Sequence, residues 1–333
     1  MVMAGDGVTR FIRSIDRWLE DGQRAGIDTN YIAVPRLNHQ IYMGTYRYWQ
    51  NYKMYMPFYV ENAAALVPGL RDNDSYRINA HTNEGEFDIG IDWKGFAVEF
   101  PFSAFSNYLA SFGLAKTGNV WGFRLRYKYL KQMDGSSNVG SEKLEDQNNA
   151  LRILYGEGYY VLNSRRFSLA AGLYADMVQK HSAGSMLLYV NFYQSRYNVT
   201  QLLPDNYDSF RTQQVSIGAG YAYNYSLLRG RLLFHGSLVP MFSVWNHLRH
   251  DAGINADLTP DQWKQLDNFY EAANSGHARF RINAFARFAA NYSWRDYALS
   301  VFLNYRHYGY SNSRSLDILN RELDCQINVI HRF

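Results

Sequence analysis

The stretch from Leu323 to Phe333 constrains this chain more than any other. Leu323, Cys325, Ile327, Val329 and Phe333 share one parity. Glu322, Asp324, Gln326, Asn328 and Arg332 share the other, with Ile330 the one apolar member of that set. Alternate side chains of a strand point to opposite sides, so this strand is apolar on one side and polar on the other. Any half-buried strand alternates in this way. The rest of the chain decides what kind of sheet it joins.

The same grammar recurs almost throughout. Trp121, Phe123, Leu125, Tyr127 and Tyr129 alternate with Gly122, Arg124, Arg126 and Lys128. Ala278, Phe280, Ile282, Ala284, Ala286, Phe288 and Ala290 oppose Arg279, Arg281, Asn283 and Arg287. Tyr297, Leu299, Val301, Leu303 and Tyr305 oppose Ser300, Asn304 and Arg306. Comparable runs cover Ile41 to Met56, Tyr76 to Thr82 or a longer piece, Phe87 to Trp93, Phe96 to Phe102, Leu151 to Val161, Phe167 to Met177, Met186 to Phe192, Val215 to Tyr225 and Leu232 to Val244. Between Leu151 and Val161, Leu151, Ile153, Tyr155, Tyr159 and Val161 read as the lipid side and Arg152 as the inner side. A bulky aromatic-aliphatic side opposite glycines and long cations suits lipid outside and a crowded, charged lumen inside. Many of these runs approach the roughly nine to eleven residues needed to cross a bilayer. Tyrosines and tryptophans gather near their ends, as at Tyr221 to Tyr225 and at Tyr292, Trp294 and Tyr297. The terminal strand, closing on Phe333, resembles the C-terminal signal read by the outer-membrane assembly machinery, with Leu323, Ile327, Val329 and Phe333 as its residues; His331 departs from that pattern.

Composition narrows the alternatives. The chain has 333 residues, of which 17% are aromatic, with 28 Tyr. That usage favours strands over helices. No run of about 18 apolar residues is present, which excludes a helical span and leaves a membrane barrel open. The net charge of +4 is small and dispersed and gives no nucleic-acid signature. A single Cys excludes an internal disulfide framework and a Cys-based zinc site. Met1 to Gly7 lacks the pattern of a secretory signal, so export implies a signal removed or a misassigned start.

Val8, Phe11, Ile12, Ile15, Trp18 and Leu19 recur at helical spacing, with Arg10, Arg13, Asp16, Arg17 and Glu20 off that stripe. This predicts one amphipathic helix that packs at the periplasmic rim or the membrane interface and does not plug the barrel. Short turns are expected at Lys94-Gly95, Leu228 to Gly230 and Trp294 to Asp296, and long links near Phe105 to Gly118, His247 to Ser275 and Tyr310 to Leu319. Counted back from a periplasmic C-terminus, all six fall on the sides a membrane barrel requires. A turn at Asn163 to Arg166 does not, unless a further crossing lies between Tyr197 and Phe210.

Four motifs carry a resemblance to a known family: Asp28-Thr29-Asn30-Tyr31-Ile32 with Pro35, Gly158 to Asn163 running into Arg166-Phe167-Ser168, Gln179 to Ser185, and Gly220-Tyr221-Ala222-Tyr223. In order and spacing the chain resembles the Bacteroidota outer-membrane β-barrels grouped as domain of unknown function 4421. Lys131 to Asn149 departs from the pattern. The resemblance implies an exported barrel and no particular activity.

The expected fold is therefore all-β: a transmembrane antiparallel barrel of about 12 strands, within the range 10–14. A short N-terminal helix lies in residues 1–27, and residues 28–333 form the barrel. A lumen-facing charge network is expected from Arg124, Arg126, Lys128, Arg152, Asp176, Arg279, Arg281, Arg287, Arg306 and Asp324. Asp88, Asp92, Glu99 and Glu322 join them. The mixed signs favour pairing over an anion- or sugar-selecting lumen. His181-Ser182 is the only adjacent nucleophile–base pair within a motif. It reads better as part of a tight connection in which Gly184 supplies backbone freedom. His235 reads as a hydrogen-bonded lumen residue, and His247 and His250 as part of an exposed loop. No catalytic, cofactor or metal site is expected. The expected partners are outer-membrane lipid and the assembly machinery, in a bacterial outer membrane. Structural, binding or passive transport roles come first. An outer-membrane enzyme acting on lipid or lipopolysaccharide is the second reading. A soluble barrel that binds an apolar ligand, with its aromatic sides turned inward, is the third.

Overall fold

A computed structural model describes residues 9–10, 13–19, 21, 26–37, 39–57, 75–102, 109–137, 143, 148–200, 207–253, 259–261, 264, 281–312 and 316–333. Its strands are β1 (Ile32–Ala33), β2 (His39–Pro57), β3 (Ser75–Trp93), β4 (Phe96–Phe102), β5 (Leu109–Lys116), β6 (Trp121–Lys131), β7 (Asp134–Ser137), β8 (Asn148–Val161), β9 (Val178–Gln179), β10 (Ala183–Thr200), β11 (Tyr207–Leu227), β12 (Leu232–Gly253), β13 (Ile282–Trp294), β14 (Tyr297–Ser311) and β15 (Asp317–Arg332). The helical pieces that bear on the barrel mouth are α1 (residues 13–19) and α2 (Leu169–Tyr174).

Twelve strands pair antiparallel in the order β2-β15-β14-β13-β12-β11-β10-β8-β6-β5-β4-β3, and β2 pairs β3 to close the ring. Closure leaves no edge, which is the only way a sheet satisfies its backbone inside a bilayer. β7 is a short extra strand that pairs Ile78 to His81 of β3 on the edge β4 occupies further along. β11 and β12 run 21 and 22 residues, about twice a bilayer crossing, so the wall rises well beyond the membrane at the end opposite Phe333.

At the Phe333 end the strands turn tightly. Trp93 pairs Phe96 across Lys94 and Gly95, both at positive φ, the geometry of a two-residue hairpin turn. Trp294 pairs Tyr297 across Arg295 and Asp296, with Arg295 at positive φ. Trp93, Trp121, Tyr160, Tyr225, Tyr292, Trp294 and Tyr297 face outward around this rim, and Trp294 stacks between Tyr292 and Tyr297. Ile41, Met43, Leu125, Leu188, Val190, Phe288, Leu299, Leu303 and Ile327 are exposed on the outer wall above it. An apolar band bordered by an aromatic belt is what a membrane barrel presents to lipid, and it removes the soluble-barrel reading, whose aromatic sides point inward.

The count of twelve survives two offsetting misreadings. Phe105 to Gly118 is not a link, because it contains β5. Phe167 to Met177 is not a strand. It is α2 and its flanks, buried inside the barrel mouth. With 162–182 as one connection at the Phe333 end, the turn at Asn163 falls on the same side as the other tight turns. Parity is reversed in β8. Leu151, Ile153, Tyr155, Glu157, Tyr159 and Val161 are buried in the lumen, and Arg152 is exposed on the outer wall over the Tyr129 ring. A one-residue parity error moves every side chain of a strand to the other face. β12 runs on to Gly253, so His247 and His250 are strand residues; His250 points inward and stacks on Phe210.

α1 sits on the outside of the rim. Asp16 accepts hydrogen bonds from Lys94 Nζ at 2.8 Å and Trp93 Nε1 at 3.1 Å. These hold its carboxyl below the ordinary carboxylate value. Trp18 is 52% exposed, tilts on Trp121, and has Lys116 Nζ 4.9 Å from its ring. The helix thus joins the aromatic belt and stays out of the lumen. Val8, Phe11 and Ile12 lie outside the described residues.

Candidate functional site

The barrel mouth at the Phe333 end is occupied by the connection between β8 and β10. Its sequence folds inward because Phe167, Leu169 and Leu173 need apolar contact and find it among lumen residues such as Tyr159, Tyr189 and Phe285. Ser168 caps α2, its Oγ accepting from the Ala171 N–H at 3.1 Å. Gly172 is obligatory, since a Cβ there would strike the His235 ring.

Wall side chains satisfy the exposed backbone of this insert. Asn224 Nδ2 donates to Ser168 O at 2.7 Å. Asn291 Nδ2 donates to Ala171 O at 3.1 Å and Gly172 O at 2.7 Å. Ala175, with φ 55°, ends the helix, and its carbonyl accepts from Arg332 Nη2 at 2.9 Å and Gln40 Nε2 at 3.3 Å. Thr117 Oγ1 donates to Asp176. Burial, together with the Asp92 carboxylate, raises the Asp176 carboxyl well above its usual range. Gln179 is the central fastening. Its Oε1 accepts from Ser168 N at 2.9 Å, and its Nε2 donates to Arg166 O at 2.6 Å and His181 O at 2.8 Å.

The N-terminal segment closes over the insert. Asp28 N donates to Arg165 O, Lys180 N to Tyr31 O, and β1 pairs β9. Asn163 Nδ2 donates to Gly184 O at 2.9 Å. The motifs around Asp28, Asn163 and Gln179 therefore meet at one place, which their separation in the chain conceals. His181 packs edge-on to Tyr31, and Ser182 Oγ accepts from Ser226 N at 2.9 Å. Gly184 is an ordinary strand residue, not a turn; a side chain there would hit the Tyr221 ring. His235 hydrogen-bonds Asn224 at 2.8 Å and Ser237 at 3.2 Å.

Above the insert, charges cross the lumen. Glu99 on β4 accepts from Arg124 Nη2 at 3.0 Å and Arg126 Nη2 at 2.6 Å. Lys128 on β6 reaches Glu322 on β15 at 2.7 Å and Asp324 at 3.4 Å. Those strands are five steps apart along β6-β5-β4-β3-β2-β15, nearly opposite in the ring. Arg306 pairs with Glu322 and, at 2.8 Å, with Asp324. Arg287 on β13 pairs with Glu157 on β8, which also accepts from Tyr155 OH. Tyrosines line the cations: Tyr46 OH accepts from Lys128 at 2.9 Å, and Lys128 Nζ lies 3.7 Å from the Tyr48 ring centroid. These groups are almost fully buried, and buried charge is tolerated only when paired and hydrogen-bonded.

Of the ten expected members, Arg124, Arg126, Lys128, Asp176, Arg287, Arg306 and Asp324 are buried inside the barrel. Arg152 faces out. Arg281 lies ahead of β13, exposed at the far rim, and pairs with Asp317 at 2.5 Å. The strand register that aims Arg287 inward does not reach Arg281. Arg279 lies outside the described residues. The sequence reading missed Glu157, which the reversed parity of β8 had placed outside. Among the described residues no group of three or more His, Cys, Asp or Glu is arranged to hold a metal.

A family model described as Domain of unknown function (DUF4421) matches residues 27–333. The chain belongs to this family. It begins where the N-terminal segment meets the insert and takes in the whole barrel. A comparison with curated proteins finds no match. Among solved structures, the chain is similar to the outer membrane protease OmpT from Escherichia coli, at 7% identity and TM-score 0.42, covering 89% of this chain and 97% of that one. It is also similar to the translocator domain of autotransporter NalP from Neisseria meningitidis, at 9% identity and TM-score 0.36, covering 98% of each.

Proposed function

We propose that this protein is an outer-membrane barrel with a closed lumen, acting by structure or by binding at its surfaces, not by conduction or catalysis. One observation carries this reading: a paired charge network spans the lumen from wall to wall above an insert fastened in the periplasmic mouth. A conducting pore needs a continuous aqueous path and usually a ring of one charge sign. Here cations and carboxylates neutralise one another. Purified protein in planar bilayers is expected to give no stable conductance. Large, steady conductance that changes when Arg124 or Arg126 is replaced overturns the closed-lumen reading.

The reading includes an outer-membrane location, contact with lipid along the apolar band, and insertion by the assembly machinery. The outward side of β15, with Leu323, Ile327, Val329 and Phe333 all exposed, is the surface that machinery would read. Phe333→Ala is expected to lower the amount of heat-modifiable, folded barrel in the membrane fraction while leaving the refolded protein equally stable. Unchanged levels remove the signal from the account.

A further inference from the structure

Two carboxylates at the seat of the insert differ from those of the charge network. Glu99, Glu157, Glu322 and Asp324 each hold an Arg or Lys. Among the described residues, no Arg or Lys pairs with Asp92 of β3 or Asp176 of the insert. Both are 2% exposed. Each has one oxygen engaged and one left over. Asp92 Oδ1 accepts from Gly95 N at 2.8 Å, and Asp176 Oδ2 accepts from Thr117 Oγ1. Asp92 Oδ2 and Asp176 Oδ1 are buried without a hydrogen-bond partner.

The two left-over oxygens belong to one place. Thr117 N donates to Gly95 O at 2.6 Å, so the turn that Asp92 holds lies beside the hydroxyl that Asp176 accepts from. Both carboxylates line a cavity of about 30 Å³, together with Gln40, Tyr42, Ser300 and Asn328. Asn328 Oδ1 is a third buried oxygen without a partner. A space of this size takes water or a small ion, not an organic ligand.

Nearby cations are directed elsewhere. Arg332 and Lys116 act on Asp176 only through space. Arg332 Nη2 donates to Ala175 O and, at 3.2 Å, to Ser293 Oγ. Lys116 Nζ faces the Trp18 and Trp121 rings, at 4.9 and 5.7 Å. Arg124, which also lines the cavity, pairs with Glu99. Buried carboxylates call for a counter-charge. Carboxylate oxygens backed by neutral amide and hydroxyl oxygens suit a hard cation. Two acids fall short of a three-acid metal cluster, so Gln40, Ser300 and Asn328 would complete the shell.

We propose that one divalent cation of calcium's kind binds between Asp92 and Asp176. Asp92 belongs to the wall and Asp176 to the insert, so the ion ties one to the other. The proposal rests on the docked insert and not on whether the barrel conducts, so it and the closed-lumen reading fail independently.

The full chain is unfolded in urea with a chelator, cleared of metal, and refolded in detergent with or without calcium. Equilibrium dialysis with elemental analysis should find one calcium per chain, half-saturated at roughly 10⁻⁴–10⁻³ M, as for sites with few charged ligands. Terbium in its place should luminesce on excitation of tyrosine, because Tyr42 and Tyr174 line the cavity, and calcium should displace it. Asp92→Asn and Asp176→Asn should each weaken uptake at least about a hundredfold, since even changes outside the ligand shell cost about 10–100-fold. Both should keep the mobility of the folded, unheated barrel. Asp317→Asn, at the opposite end, should change nothing. Should either Asn variant fail to fold, the wild-type stoichiometry and the terbium signal decide alone. No uptake by the folded wild type overturns the proposal, as does uptake that survives both substitutions. A wild type that takes up no calcium and is outlasted in denaturant by Asp176→Asn has a shared proton there instead, which also overturns it.

Discussion

Asp324→Ala is expected to destabilise the barrel by about 3–5 kcal/mol, the range for breaking a buried ion pair from one side. Asp324 is fully buried and accepts from Arg306 at 2.8 Å, Asn304 at 2.9 Å and Lys128 at 3.4 Å, with Arg126 at 3.8 Å. Removing it leaves Glu322 to face Arg306 and Lys128 alone. The cost is that of uncompensated cations, not the net value of the original pairs. Denaturant unfolding in detergent, followed by tryptophan fluorescence and by gel mobility, measures it. A loss below about 1 kcal/mol would mean that water reaches these groups freely, and the network would then be a solvated lining.

The second large effect lies on the other side of the wall. Val301 pairs with Ala290 and Ile327 in the middle of the apolar band, with Leu299 and Leu303 next on the same side. Val301→Arg places a charge where neither water nor a partner is at hand, and should cost about 2–4 kcal/mol near the bilayer midplane. Reversible unfolding in lipid vesicles reads this directly. The contrasting substitution, Arg287→Val, tests the same sidedness from within, because it strands Glu157. A neutral Val301→Arg in vesicles would place this strand outside the membrane.

Much of the wall was legible because most strands carry a one-sided pattern. In β6, β13 and β14 long cations or amides oppose aromatics and aliphatics, so parity and side are both fixed. β5 was invisible: Leu109-Ala110-Ser111-Phe112-Gly113-Leu114-Ala115-Lys116 has small residues where the others have bulky ones. β8 misled because both its sides are apolar. Tyr155 and Tyr159 turn inward, where a phenol packs like an apolar ring and still hydrogen-bonds charge. In the insert, Phe167, Leu169, Leu173 and Met177 fit either period. Tertiary contact with the lumen chose the helix over the strand, which spacing alone does not resolve. The charge network was legible as a set of residue types on inward parities; its pairings depend on which strands stand opposite each other once the ring closes.

The carbonyl of Ala175 has a bearing on how the ring is shut. Gln40 and Arg332, which hold it, are register partners in the seam between the first and last long strands of the barrel. Bringing those strands together directly closes nearly the whole chain in one step. Through Ala175 it becomes two steps, of 135 and 157 residues, each with a docked waypoint. Loop-closure entropy grows only slowly with length, so the gain is less in the total cost than in its division between events that follow one another. Long-range pairing is the slow part of building a sheet. An insert that docks first would act as a jig, offering both free ends of the sheet the same backbone oxygen. Loosening it should show first in the rate at which barrels close.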